Sequence, residues 1–328
     1  MPPTLLIIGF LCMILVIANR TDGAPAMRRG LYTFLTLTNL GFLFAFGVVP
    51  LLDIGKVHYP RPVAILALSA SALVCCLCFG LLLERVRISL RRLFPPTYNP
   101  ASIPQMIAMI FCVYLVAQTA LEFILAGGLT GLAENFSGVN VESIGTQLAI
   151  WIVIAFFGVG FPVRRSFPAA LARLGLRAPT IEELVIAWVV AIGLVIMAFM
   201  VGALWTTLTP RDILDQQTQV SRLISLSVDN LTFAFIIALA AAVGEEIAFR
   251  GALQPIFGLW PTAIFFALTH IQYALTPATL LIIVVGLGLG WVRKRYNTTA
   301  SILTHFMYNF ALLSLSIYAR YLQDVLTR

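Results

Sequence analysis

The sequence predicts an all-α fold, a polytopic bundle of about ten transmembrane helices, on three observations. Hydrophobic residues make up 60% of the 328-residue chain, and the mean hydropathy is +0.96. Charged residues make up 11%, whereas soluble domains carry about 25%. Apolar runs of about 17–25 residues recur along the chain, the length that crosses ~30 Å of hydrocarbon at ~1.5 Å per residue. This composition excludes a soluble enzyme. The formal charge of +7 is a matter of membrane topology, so no nucleic-acid partner is expected.

In chain order the runs lie at about 3–19, 31–52, 63–83, 104–127, 146–163, 183–207, 231–257, 260–275, 278–292 and 298–319. The eighth and ninth are the shortest. The first has the apolar core of a signal peptide, but Arg20, Arg28 and Arg29 follow it and no basic residue precedes it. That charge order is reversed for a cleaved signal, so a retained span is expected. Cys12, Cys75, Cys76, Cys78 and Cys112 all lie in apolar runs and are expected to pack rather than to form disulfides or bind metal. Gly286 and Gly290 have the spacing that lets membrane helices approach closely. Asn135, Asn230 and Asn297 open Asn-x-Ser/Thr matches, which are frequent by chance and carry no weight. Connections between runs reach only about 20 residues, so no separate soluble module is expected.

Counting Lys and Arg between runs orients the chain. Fourteen fall on one side, in the groups Arg20–Arg29, Arg85–Arg92, Arg164–Arg177 and Arg293–Arg295. Six fall on the other: Lys56, Arg61, Arg211, Arg222, Arg320 and Arg328. The positive-inside rule places the larger set in the cytoplasm and both termini outside.

Ionisable residues within membrane runs are costly, at ~2.5–3.5 kcal/mol each on insertion scales, and are functional candidates by default. Glu245, Glu246 and Arg250 lie in the seventh run, His270 in the eighth and His305 in the tenth. On ideal helices Glu245, His270 and His305 fall roughly 12–18 Å from the cytoplasmic surface, so three helices bring ionisable groups to one depth. Glu246 and Arg250 have the i,i+4 spacing of an ion pair, which leaves Glu245, turned by about 100°, to face elsewhere. Phe266 and His270 share a face, as do His305 and Asn309. Small residues (Ala240, Ala241, Ala242, Gly244, Ala248) let neighbouring helices reach the glutamates. His58, in an outside loop, is expected to be a solvated surface residue, and Glu122, near the outer end of the fourth run, interfacial and structural.

A glutamate and a histidine that share a water can act as a general base pair, and a second histidine with an asparagine suits an oxyanion hole. No Ser–His or Cys–His pair is better placed. Two histidines and a glutamate could also hold Zn²⁺ with one position open, although no HExxH is present. The residues alone leave the metal-bound and metal-free schemes open.

EExxxR (Glu245, Glu246, Arg250), FxxxH (Phe266, His270) and HxxxN (His305, Asn309), in that order, resemble the CPBP intramembrane protease family. That family includes CAAX prenyl endopeptidases of the Ras-converting-enzyme type and the bacterial Abi proteins. The likeness covers roughly Glu183 to Ala319. It implies a protease core over 181–320, with the helices of 1–180 outside it and unassigned. It implies an intramembrane endopeptidase in which Glu245 and His270 activate water and His305 and Asn309 form the oxyanion site. Glu246, Arg250 and Phe266 support them, and no cofactor is required. The implied substrate is a membrane-embedded or lipid-anchored protein or peptide, prenylated CAAX chains included. The implied location is the plasma (inner) membrane of a prokaryote, with the active site opening toward the cytoplasmic half. Two other classes fit the polar residues less well. A transporter or proton relay would be expected to show an inverted repeat, and a catalytically silent immunity-like or scaffold protein would not need the full motif set.

Overall fold

The computed structural model describes residues 3–21, 24–55, 57–136, 138–270 and 277–327. Lys56, Arg328 and the end of the eighth apolar run (271–275) lie outside the described residues. Those residues form helices and connecting turns with no β-strand. The N-terminal helices are α1 (Pro3–Arg20), α2 (Pro25–Leu51), α3 (Arg61–Leu82), α4 (Glu84–Leu90), α5 (Ile103–Ala126), α6 (Leu129–Glu134), α7 (Val141–Gly158) and α8 (Phe167–Leu174). The C-terminal helices are α9 (Ile181–Leu208), α10 (Arg211–Leu226), α11 (Leu231–Phe257), α12 (Leu259–Leu268), α13 (Pro277–Arg295) and α14 (Thr298–Leu326). Among the described residues, seven helices are long and apolar enough to cross a membrane: α2, α3, α5, α7, α9, α11 and α14. The chain is an integral membrane protein.

Each of the ten apolar runs maps onto a helix. The eighth differs from expectation. It was expected to cross to residue 275 with His270 about ten residues inside it, but α12 has 10 residues and stops at Leu268. At ~1.5 Å per residue such a helix reaches only about half-way through the hydrocarbon. Its last turn is drawn off by side chains. The Thr269 hydroxyl donates to the Phe266 carbonyl at 2.8 Å, and His270 Nδ1 lies 2.7 Å from the same oxygen. His270 therefore stands just beyond a helix end.

The short helices α4, α6, α8 and α10 lie in the connections, where apolar run lengths give no signal. Helix ends elsewhere follow side-chain caps. Ser102 caps α5, while Asn140 with Ser143, and Thr180 with Glu183, form capping boxes on α7 and α9. Asn230 and Asn297 cap α11 and α14, so two of the three Asn-x-Ser/Thr matches are helix starts. Arg87 closes the other end of α3. It is fully buried, and its guanidinium donates to the carbonyls of Leu81 (2.6 Å), Leu82 (3.0 Å) and Pro100 (2.7 Å). A cation there satisfies carbonyls that the helix leaves without partners.

Two packed groups result. Helices α1, α2, α3 and α5 share one apolar core around Leu15, Leu35, Cys78, Met106 and Ile107. Helices α9, α11, α13 and α14 form the other, with α12 against α13. Helix α7 packs on both α1 and α11 and joins the groups. Helix α9 has the highest mean hydropathy of the seven spans, 2.9, and only 17% of its most apolar stretch is buried. Its apolar surface, including Trp188, Ile192 and Phe199, faces outward, as a lipid-contacting helix requires. All five cysteines are free; Cys75, Cys78 and Cys112 are buried and Cys76 is exposed. His58 and Glu122 are both exposed, beside Asp53 and Gln118 respectively.

Candidate active site

Within α11 the backbone changes character at the motif. Residues Glu246–Leu253 wind as a π-helix, a widened turn that still brings Arg250 onto Glu246 across the expected i,i+4 spacing. Such single-turn widenings often mark functional sites. The local sequence explains the change. Pro255 has no N–H to donate to Gly251, so that carbonyl lacks its ordinary α-helical partner. Arg173 of α8 donates Nη1 to the Gly251 oxygen at 3.0 Å and lies within reach of the Ala252 carbonyl. A Cβ at Gly251 would stand 3.1 Å from the Leu174 carbonyl, so glycine lets α8 approach this close.

The π-helical turn carries a closed ionic network. Glu246 and Arg250 are wholly buried and pair at 2.8 Å. The same Glu246 Oε1 receives His305 Nδ1 at 2.9 Å, and Oε2 receives the Ser301 hydroxyl at 2.5 Å. Arg250 Nη2 donates to the Gly286 carbonyl at 3.3 Å, and its guanidinium lies 4.2 Å from the centre of the Phe266 ring. One turn on, Gln254 donates to the Gly290 carbonyl at 2.7 Å. The two glycines of the ninth run thus do more than permit close packing. A Cβ at Gly286 would meet the Ala263 backbone at 3.3 Å, and their carbonyls anchor side chains from α11.

Phe266 holds both motif histidines, with ring centres 4.7 Å from His270 and 6.0 Å from His305. The two histidines differ in what their nitrogens do. Because a carbonyl only accepts, the Phe266 oxygen fixes the His270 proton on Nδ1 and leaves Nε2 as a lone-pair acceptor. His305 likewise donates Nδ1–H to Glu246, while its Nε2 accepts from Asn309 Nδ2 at 3.0 Å. Both nitrogens of His305 are therefore engaged. Glu245 is partly buried, and among the described residues its Oε2 atom is buried without a hydrogen-bond partner. Gly244 beside it admits Trp151 of α7, to which a Cβ would come within 3.0 Å.

The structure thus joins Glu246, Arg250, His305, Asn309 and Phe266 in one connected cluster and seats His270 on its edge. Glu245 makes no direct hydrogen bond to His270. Among the described residues no three His, Cys, Asp or Glu side chains converge as metal ligands do.

Two contributing residues escaped the motif reading. Ser301 lies one helical step before His305 on the same face of α14, a position that stepping back by four from HxxxN would have flagged. Glu183 is buried, pairs with Arg177, and accepts from Asn297 Nδ2 at 2.5 Å and from the Thr180 amide at 2.9 Å. It ties the start of α9 to the start of α14, and so sets the height of the helix that carries His305. Its signal was the T-x-x-E capping box.

Residues 227–311 match the family model described as type II CAAX prenyl endopeptidase Rce1-like. The match begins before α11 and ends within α14, so it contains every residue of the cluster, while Glu183 lies outside it. No curated protein and no solved structure matches the chain.

Proposed function

From the match of residues 227–311 to the Rce1-like family model of type II CAAX prenyl endopeptidases, we propose that this integral membrane protein hydrolyses a peptide bond in a membrane-associated substrate. The proposed reaction uses water activated by Glu245 and His270. The observation that carries this reading is the contrast between the adjacent glutamates. Glu246 is saturated by Arg250, His305 and Ser301, as a structural anion should be. Glu245 keeps a buried oxygen unpartnered, which is costly for stability and useful for accepting a proton from water. His270 Nε2, with its lone pair, is the second acceptor for that water. Asn309 retains an N–H beyond the one on His305 and is proposed to stabilise the developing oxyanion, with His305 and Glu246 holding it in place. No metal is required in this scheme. The substrate class is a lipid-anchored or membrane-embedded peptide, of the prenylated CAAX kind where the cell makes it.

Purified protein in lipid nanodiscs should cleave a quenched-fluorophore prenylated peptide, and chelators should leave the rate unchanged. One stoichiometric zinc per chain, with activity lost on its removal and regained on its return, would replace the scheme with a metal-dependent one. If the peptide stays uncut, comparison of the host membrane proteome with and without Glu245→Gln decides the matter. Identical proteomes would refute the protease reading.

The active site is proposed to open to the cytoplasmic half, from the fourteen-to-six bias of basic residues. A phosphatase reporter fused after Arg328 should then be active outside the membrane. A reporter active only in the cytoplasm would invert this orientation.

A further inference from the structure

A second feature lies between the two helix groups. A cavity of about 870 Å³ runs between α1, α5 and α7 on one side and α11 on the other. This is within the ~300–1,000 Å³ typical of ligand pockets. Its body is apolar, walled by Phe10, Ile14, Phe111, Leu115, Ile150 and Trp151. Its other end is lined by Arg165, Arg173 and Arg293, beside Arg164, which donates to the Asn19 carbonyl. That end gathers the finish of α7, the start of α5 and the finish of α13, all on the basic side of the bundle. Leu115 lies 12 residues into α5, so the body extends about 18 Å from there toward the membrane centre.

The three arginines are half-buried and have no carboxylate partner among the described residues. Among the described residues each donates to backbone: Arg165 to Val159, Arg173 to Gly251 and Ala252, and Arg293 to Arg250. Three guanidinium groups drawn together with no carboxylate beside them among the described residues are unfavourable, and their planar donors suit a phosphate. Burial first, and then the neighbouring charges of Arg165 and Arg293, hold Arg173 down to about 10. Basic pockets between membrane helices on the cytoplasmic side are where anionic lipid headgroups bind.

We propose that this cavity is a binding site for an anionic phospholipid, with the phosphate on Arg165, Arg173 and Arg293 and an acyl chain in the apolar body. The site is separate from the Glu246 cluster and stands whether or not the chain is a protease. Because Arg173 and Arg293 donate to carbonyls of the π-helical turn, an occupied site would steady the helix segment that carries Glu246.

The test uses full-length protein in neutral detergent, with thermal unfolding measured against added lipid. Dioleoyl-phosphatidylglycerol should raise Tm by about 5 °C at a hundredfold excess over its Kd. Dioleoyl-phosphatidylcholine and glycerol phosphate should not. Arg165→Gln removes one headgroup charge, and Ala108→Trp fills the body while every arginine remains. Each should cut the phosphatidylglycerol shift by at least about half. Native mass spectrometry of the wild type should show one bound anionic lipid that Ala108→Trp loses. Equal shifts with phosphatidylcholine, or a shift that survives both variants, would overturn the proposal. A full shift with glycerol phosphate alone would make the site one for a free anion and overturn the lipid assignment. Stabilisation by a lipidated peptide acid but not by phosphatidylglycerol would likewise overturn it.

Discussion

Arg250→Ala is expected to lower stability by about 3–5 kcal/mol, the usual result of removing one partner of a buried ion pair. The physical reason is what remains. Glu246 is left wholly buried with its main counter-charge gone, and the Gly286 carbonyl loses its donor. The face of Phe266 loses the cation stacked 4.2 Å from its centre. Arg250→Lys should rescue little, because an ammonium cannot serve Glu246, Gly286 and the ring together. The double variant Glu246→Leu with Arg250→Met should regain much of the loss, since a buried pair exchanged for apolar residues of similar volume is often neutral or stabilising. Activity should stay low in the double variant, because His305 loses the group that orients it. Thermal unfolding in detergent together with a cleavage assay checks each point. An Arg250→Ala protein of normal Tm but no activity would move Arg250 from scaffolding into the chemical step.

Glu245→Gln should have the opposite signature. Cleavage should fall by ~10²–10⁴, the contribution of a general base, while Tm stays level or rises. An unpartnered buried carboxylate oxygen contributes no bond to lose, and its removal relieves a desolvation cost. Stability held below its optimum at a reactive group is common in active sites. Retained cleavage, or a drop in Tm as large as that of Arg250→Ala, would show that Glu245 is structural. The adjacent glutamates can then be distinguished by two measurements on two variants.

Much of this was legible in the residues. EExxxR, FxxxH and HxxxN identified the cluster because hydrocarbon makes each ionisable residue conspicuous, and the spacing of His305 and Asn309 appears as a 3.0 Å bond. Ser301 and Glu183 were not conspicuous. A serine in a membrane helix costs little, and a glutamate in a capping box has a local explanation. The expectation of a full eighth span failed because apolarity counts residues and does not register that Thr269 and His270 compete for the Phe266 carbonyl.

By itself the sequence determined a membrane-spanning helical chain, the ten helical runs and the identity of the ionisable residues within them. These follow from local quantities: run length against bilayer thickness, the cost of burying charge, and side-chain caps at helix starts. The i,i+4 spacing also picked Glu246 as the partner of Arg250, and the two pair at 2.8 Å; only the tertiary structure decided that Ser301 and His305 close on the same carboxylate. Glu245 and Glu246 have the same chemistry and adjacent positions in the chain. Their difference comes from Arg250 on the same π-helical turn and from Ser301 and His305 on α14, which close around one carboxylate and leave the other with an unpaired oxygen.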